Sequence, residues 1–418
     1  MNANVLRTTA LVAAIGCGIA GVAGASGRTG GRPSSGDGTL AIASLAPETG
    51  ALQSLRDSMR VPVELAVSEI NAAGGVNGAL VTLARGDEGA DTATARATVT
   101  AFADGAVDAV IGPTAPATVL SVIGSVRKAR MVMCSGTDTL APVTSRSSNG
   151  FYFRTAPGPR LQGLALAELV LADGHERIAI LRRDDVFGDD VGAALRRGLR
   201  SSGARFLADV AYDPDRETVG KQVRTALRRK PEAVIVIGFD DDGARVVANL
   251  IARGNGPATT AIYGPDTFQS AEFSAAVDPA NPATVAGIKG TAPAPAPTGI
   301  ESPFHAQLEN RGIPPVFSSH VYDCTILTAL AAVKAKSDDP NEMKRAFAKN
   351  LKGESDCNTF AACTALLAEG RTIHYRGASS SFERYRTFEP GSGAFDTWAY
   401  DAAGQPVADG ATSQIEVP

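Results

Sequence analysis

Short apolar runs alternate along this chain with longer segments whose apolar residues recur at helical spacing. The first run, Thr39-Leu40-Ala41-Ile42-Ala43-Ser44-Leu45, predicts a strand, and a polar loop with Pro47 and Gly50 follows it. Over 61–71, Val63, Ala66, Val67 and Ile70 fall on one helical face. Ala73-Gly74-Gly75 then supplies a helix stop. Further strands are predicted at 81–85, 107–113 and 131–134, with helices at 93–102 and 119–129. The rhythm restarts after Arg154-Thr155-Ala156-Pro157. Helices are predicted there at 162–173, 191–201, 219–229 and 241–253, and strands at 177–182, 204–212, 233–238 and 260–264. Ala233-Val234-Ile235-Val236-Ile237-Gly238 is the plainest buried strand. Short apolar strands alternating with helices predict an α/β doubly wound architecture, its mostly parallel sheets covered on both faces.

The rhythm breaks at the proline-rich stretch 293–297. A long helix at 321–335 and a partner at 340–351 are predicted next. Beyond Gly377 the pattern becomes β-like, as in Phe395-Asp396-Thr397-Trp398-Ala399-Tyr400. Two lobes result. A leader and tether occupy 1–36, lobe 1 takes 37–156 and lobe 2 takes 157–290. The chain then returns to lobe 1 over 291–378 and ends on lobe 2 over 379–418. Open α/β sheets bind ligands beyond the carboxyl ends of their strands, so two facing edges make a cleft.

Composition narrows the function. A chain of 418 residues, 44% hydrophobic and 20% charged, is long and apolar enough for two or three packed domains. A net charge of −4 gives no electrostatic case for nucleic acid. His175, His305, His320 and His374 lie far apart, without metal-ligand spacing, so no metal is expected. The chain carries no G-x-S-x-G elbow, Walker A loop or H-E-x-x-H motif, and the expectation is a protein that is not an enzyme. Asp184-Asp185 and Asp189-Asp190 read as solvated charge at a loop and helix start. Gly16-Cys17-Gly18-Ile19-Ala20-Gly21 fits G-x-G-x-x-G but lacks a preceding strand, so no cofactor is expected.

Residues 1–25 read as a secretion signal, with Arg7 ahead of an apolar stretch over 10–15. Ala14-Ile15-Gly16-Cys17 resembles a bacterial lipobox, with Ala14 where Leu is favoured; Cys17 would then carry the lipid. The alternative is a plain signal peptide cut after Ala23 or Ala25. The Gly/Ser/Arg/Pro-rich stretch 24–38 suits a flexible tether. Among the other cysteines, Cys357 and Cys363 have the spacing of a small disulfide loop in an exported protein, with two unpaired thiols as the alternative. Cys134 and Cys324 sit in apolar contexts and read as buried free thiols, with a bridge between them left open.

Several motifs then occur in a telling order. They are Ile70-Asn71-Ala72-Ala73-Gly74-Gly75-Val76-Asn77-Gly78, Val110-Ile111-Gly112-Pro113, the segment 135–144, and Phe151-Tyr152-Phe153-Arg154-Thr155-Ala156-Pro157. Phe187-Gly188, Tyr263-Gly264-Pro265-Asp266, Tyr322-Asp323 and the stretch 357–363 with Tyr375-Arg376-Gly377-Ala378-Ser379 follow. Over 39–407 the chain resembles the type 1 periplasmic binding proteins, and among them the branched-chain amino-acid (Leu/Ile/Val) receptors of ABC importers. The resemblance implies a two-lobed Venus-flytrap with three interlobe crossovers and a small ligand in the cleft. It implies an exported, monomeric receptor that delivers an amino acid or related compound to an ABC permease. A ligand sensor on the same fold is the alternative.

The resemblance also implies a site. Thr137 and Thr139, in the segment that starts at Ser135, match positions that hold the ligand's main-chain groups. Asp266 matches the acid that binds the ligand ammonium. Phe187 and Phe239 match second-lobe positions that are often Tyr and can cover the ligand. Leu55 aligns with a cleft-lining aromatic of the first lobe. Two departures stand out. Pro116 replaces a Ser whose hydroxyl binds the ligand carboxylate, with Thr114 or Thr118 as the nearby hydroxyls. Asp138 replaces an Ala and would repel a ligand carboxylate if it faced the cleft. Asp240-Asp241-Asp242 adds acid, with Asp241 and Asp242 read as a solvated helix start. These changes count against a simple Leu, Ile or Val ligand and leave room for a cationic or amide-bearing one.

Overall fold

The structure, a computed structural model, describes residues 36–50, 52–139, 145–295, 302–313, 317–409 and 414–417. The leader and Cys17 lie outside the described residues. In lobe 1 the chain runs β1 (Ala41–Ala46), α1 (Arg56–Ala72), β2 (Thr82–Asp87), α2 (Thr92–Asp104), β3 (Ala109–Ile111), α3 (Pro116–Ala129), β4 (Val132–Ser135), α4 (Ser145–Ser148) and β5 (Tyr152–Arg154). The five strands form one parallel sheet in the order β2-β1-β3-β4-β5. Alternate residues of β1 serve opposite faces. Ile42 packs with α1, while Ala43 and Leu45 pack with α2 and α3. This is why the strands read as unbroken apolar runs. Val63, Ala66, Val67 and Ile70 are all buried on α1, as their spacing predicts. Each fully buried Val or Ile contributes about 1.5–3 kcal/mol of transfer free energy.

Lobe 2 continues with α5 (Pro159–Ala172), β6 (Arg177–Arg183), α6 (Val186–Ser201), β7 (Arg205–Tyr212), α7 (Gly220–Leu227), β8 (Ala233–Ile237), α8 (Asp240–Ile251), β9 (Ala261–Gly264), α9 (Ala271–Val277) and β10 (Lys289–Ala294). Strands β6 to β10 pair in parallel, in the order β10-β9-β8-β6-β7. Every residue of β8 is buried. The proline-rich stretch opens inside β10. Pairing with β9 ends at Gly290, so beyond it β10 is free on that side and tolerates Pro293.

The chain then returns to lobe 1 through α10 (Pro303–Glu309), α11 (Ser318–Ala335), α12 (Pro340–Ala346), β11 (Ser355–Cys357), α13 (Phe360–Ala368) and β12 (Ile373–Tyr375). Helix α11 is buried from Ser318 to Ala332 and packs beside α1 on the first sheet. The helix expected over 340–351 stops at Ala346 and tightens into a short turn, Phe347–Asn350. The final strands β13 (Gly393–Tyr400), β14 (Pro406–Ala408) and β15 (Gln414–Val417) complete an eight-stranded second sheet. Strand β13 runs antiparallel to β10, β14 and β15. Phe382 and Tyr385 still belong to the first core, so the second sheet is reached only at Gly393, later than the expected 379.

Cys357 and Cys363 are bonded, with an S–S distance of 2.07 Å. Cys134 and Cys324 are bonded as well, at 2.00 Å, which corrects the reading of two free thiols. Their apolar surroundings are genuine, since both are fully buried. Packing α11 on β4 brings two residues together that are 190 apart in sequence.

Candidate functional site

All five strands of the first sheet are parallel, so β2, β3 and β4 end on one edge, at Asp87, Ile111 and Ser135. In the second sheet β6, β8 and β9 likewise end together, at Arg183, Ile237 and Gly264. Thr114, Thr137 and Thr139 lie in the loops beyond the first edge with Ser135 at the end of β4, Phe239 and Asp266 lie just beyond the second edge with Phe187 in the first turn of α6, and Leu55 lies just ahead of α1. The edges meet where the Thr139 hydroxyl, after β4, donates to Asp266, after β9, at 3.4 Å.

Lobe 1 contributes a tight hydroxyl cluster. The Ser135 hydroxyl donates to the Pro113 carbonyl at 3.0 Å and accepts the N–H groups of Thr137 and Asp138. The Thr137 hydroxyl donates to the Thr114 carbonyl at 2.9 Å. Each hydroxyl has a single proton, so both are engaged in shaping the turn. A small cavity lies alongside, lined by Met59, Pro113, Thr114, Gly136, Thr137 and Val321. Leu55 is half-buried against the core of this lobe.

Lobe 2 contributes the acid. Asp266 opens a short turn after β9 and is half-buried. Burial pushes its carboxyl up, against hydrogen bonds from Gln162 and Thr139 that hold it down. Both side-chain partners are neutral. Gln162, in the first turn of α5, is fully buried and escaped the sequence reading. A signal was present: it is a lone amide on a helix face that is otherwise Leu and Ala. Its Nε2 donates to Asp266, and its Oε1 has no hydrogen-bond partner.

Phe187 is buried within the second core and stacks on Phe239 at 5.0 Å between ring centroids. The Arg183 guanidinium lies 4.1 Å from the Phe239 centroid and pairs with Asp185 and Asp242. Asp242 is therefore not solvated. It is buried and also accepts the Tyr212 hydroxyl at 2.6 Å, while Asp241 is exposed. Asp185 does not stand free in solvent either, since it caps α6 by accepting the Gly188 N–H at 3.0 Å. Asp138 turns inward: it is 1% exposed, accepts the Tyr152 hydroxyl and lies 4.0 Å from Arg154. Arg154, held charged by its acidic neighbours, pairs with Glu389 as well. The acid of Asp138 is thus balanced within lobe 1.

Residues 39–373 match the family model described as periplasmic binding protein. The chain belongs to that family. It is 26% identical to the chemotactic signal transduction system substrate-binding protein BasB of Halobacterium salinarum, over 85% of both chains. The leucine binding protein LivK of Thermotoga maritima shares its fold, with a TM-score of 0.65, 16% identity and coverage of 90% of this chain and 98% of that one. The branched-chain amino acid transporter substrate binding protein LivJ of Streptococcus pneumoniae, solved with isoleucine, gives a TM-score of 0.63 at 19% identity, covering 90% and 99%. The fold is the two-lobed α/β fold of type 1 periplasmic binding proteins.

In this periplasmic binding protein the candidate residues thus fall into two sets. Thr114, Ser135 and Thr137 form one cluster, joined to lobe 2 through Thr139 and Asp266. Phe187 and Phe239 form a separate stack on lobe 2. Among the described residues no group of three or more His, Cys, Asp or Glu is placed to hold a metal ion. No described helix is long and apolar enough to cross a membrane.

Proposed function

We propose that this periplasmic binding protein is an extracytoplasmic receptor that captures a small amino-acid-like solute in its interlobe cleft and hands it to an ABC permease. Cys17 would tether the monomer to the membrane through lipid. One observation carries the reading. Asp266 is a half-buried carboxylate at the junction of the two lobes, and both of its side-chain partners are neutral. Such a group is completed by an ammonium, whose charge and three donors match it. Thr139 supplies the contact by which ligand at Asp266 is sensed on lobe 1, as hinge closure requires. Nothing in this role calls for catalysis.

A thermal-shift screen of the purified full chain against amino acids, amides, polyamines and sugars tests it. A ligand at about 100 times its Kd adds about 2.7 kcal/mol of stability. The expected result is a shift with an ammonium compound that disappears in Asp266→Ala. A shift confined to compounds without an ammonium, unchanged in that variant, defeats the assignment.

The similarity to BasB favours a second reading, reception for chemotaxis. Loss of solute uptake on gene deletion supports import; loss of chemotaxis with uptake intact supports sensing.

A further inference from the structure

The cleft edge of lobe 1 carries an acid of its own. Glu88 directly follows β2, is 2% exposed, and is anchored by its N–H donating to the Ala46 carbonyl at 2.8 Å. Its Oε2 accepts the Thr114 N–H at 2.7 Å and its Oε1 accepts the Ala115 N–H at 2.6 Å. The side chains of Thr114 and Thr118 lie close enough to favour its charged form. Two converging amide N–H groups, just ahead of a helix, make a cradle suited to a carboxylate. Here the carboxylate comes from the chain itself. The next residue, Pro116, has no N–H to offer. The hydroxyl protons of Ser135, Thr137 and Thr139 are spent as well, on Pro113, on Thr114 and on Asp266.

The facing edge has the opposite surplus. Asp266 is an acceptor without a cationic partner among its side-chain contacts. The buried Gln162 Oε1 beside it has no hydrogen-bond partner. Among the described residues the two edges thus offer a ligand side-chain acceptors at Asp266 and Gln162, while the hydroxyls of Ser135, Thr137 and Thr139 are engaged.

We propose that Glu88 is a specificity-determining residue that fills the carboxylate cradle of the cleft, so that the ligand is an organic ammonium compound lacking a carboxylate. The inference rests on the receptor reading above and narrows it. A free amino acid would bring its carboxylate to an edge where the Thr114 and Ala115 N–H groups already hold a carboxylate and the hydroxyls of Ser135, Thr137 and Thr139 are engaged. An amine has no such group to leave unpaired, so the discrimination comes from what the site refuses.

The test compares amino acids with their decarboxylated amines by calorimetric titration of the purified full chain. Suitable pairs are leucine with 3-methylbutylamine, lysine with cadaverine, arginine with agmatine, and phenylalanine with phenethylamine. The expected result is that wild type binds at least one amine about tenfold or more tighter than its parent amino acid. Glu88→Ala should narrow or invert that gap, and acetate should raise the Tm of Glu88→Ala but not of wild type. Glu88→Gln, which keeps the volume and removes the charge, gives the same direction if the alanine variant does not fold. An amino acid bound by wild type as tightly as its amine overturns the inference and leaves the receptor reading standing. An unchanged preference in both variants, or no acetate effect on a folded Glu88→Ala, also overturns it. If no member of any pair binds wild type or variant, the ammonium reading at Asp266 fails and this inference fails with it.

Discussion

Cys134, in β4, is bonded to Cys324, in α11, across 190 residues of sequence. The bridge fastens the strand that leads into Ser135 and Thr137 to the helix that returns from lobe 2. Closing a loop of that length in the unfolded chain is worth about 5 kcal/mol by the chain-entropy relation, against about 2 kcal/mol for the six-residue loop of Cys357 and Cys363. Cys134→Ala with Cys324→Ala should therefore lower the unfolding free energy by about 2–5 kcal/mol. Cys357→Ala with Cys363→Ala should lower it by less. Urea unfolding of the two double variants checks the order.

Asp266 should make ligand capture sensitive to acid. Burial holds its pKa above the ordinary carboxylate value, so it loses its charge earlier on acidification than a surface Asp. Affinity for an ammonium ligand should fall on acidification, at higher pH than a surface Asp would give. Asp266→Asn should bind weakly and show little of that pH dependence. Calorimetric titration at a series of pH values reads both.

His320 should make the fold sensitive to acid by a separate route. It is fully buried, and burial pushes its pKa from 6.5 down to about 3. Its Nδ1 has no hydrogen-bond partner. The unfolded chain then binds a proton that the folded chain refuses. The stability His320 allows is complete above 6.5 and is lost toward 3, by about 1.4 kcal/mol per pH unit. Asp323, raised by burial to about 6, acts with the opposite sign over part of this range. The informative quantity is thus the difference between wild type and His320→Leu. The variant should gain relative stability as pH falls, measured by urea midpoints at successive pH values.

Glu389 should matter more to stability than an exposed acid would. It pairs with Arg154, whose side chain is 3% exposed, and so ties the end of β5 to the segment that leads into β13. Removing one partner of a buried pair costs up to about 3–5 kcal/mol. Glu389→Ala should approach that loss, while Glu389→Gln, which keeps an acceptor, should lose less. Urea unfolding of the two variants separates charge from hydrogen bonding.

Much of the fold is legible in the sequence because its elements bury whole faces. Val63, Ala66, Val67 and Ile70 mark the inner face of α1, and the run from Ala233 to Ile237 marks a strand covered on both sides. The site is legible only in part. Asp266 and Thr139 can be singled out one at a time, but nothing local says that they touch. Gln162 carries a weak signal. Glu88 carries none: it reads as a loop acid after a strand, and its partners Thr114 and Ala115 lie 26 and 27 residues on. Asp138 and Asp242 resemble surface acids until their arginine and tyrosine partners come into view.

By itself the sequence determined the alternation of strands and helices, the two lobes and the family, because each depends on periodicity and motif order along the chain. Only the tertiary structure decided that Cys134 joins Cys324, and which acids are neutralised by which partners. Those outcomes depend on distances between residues brought together by chain reversal. The direction of a hydrogen bond or the partner of a buried charge has no local signature; it is set by whatever the packed neighbour presents.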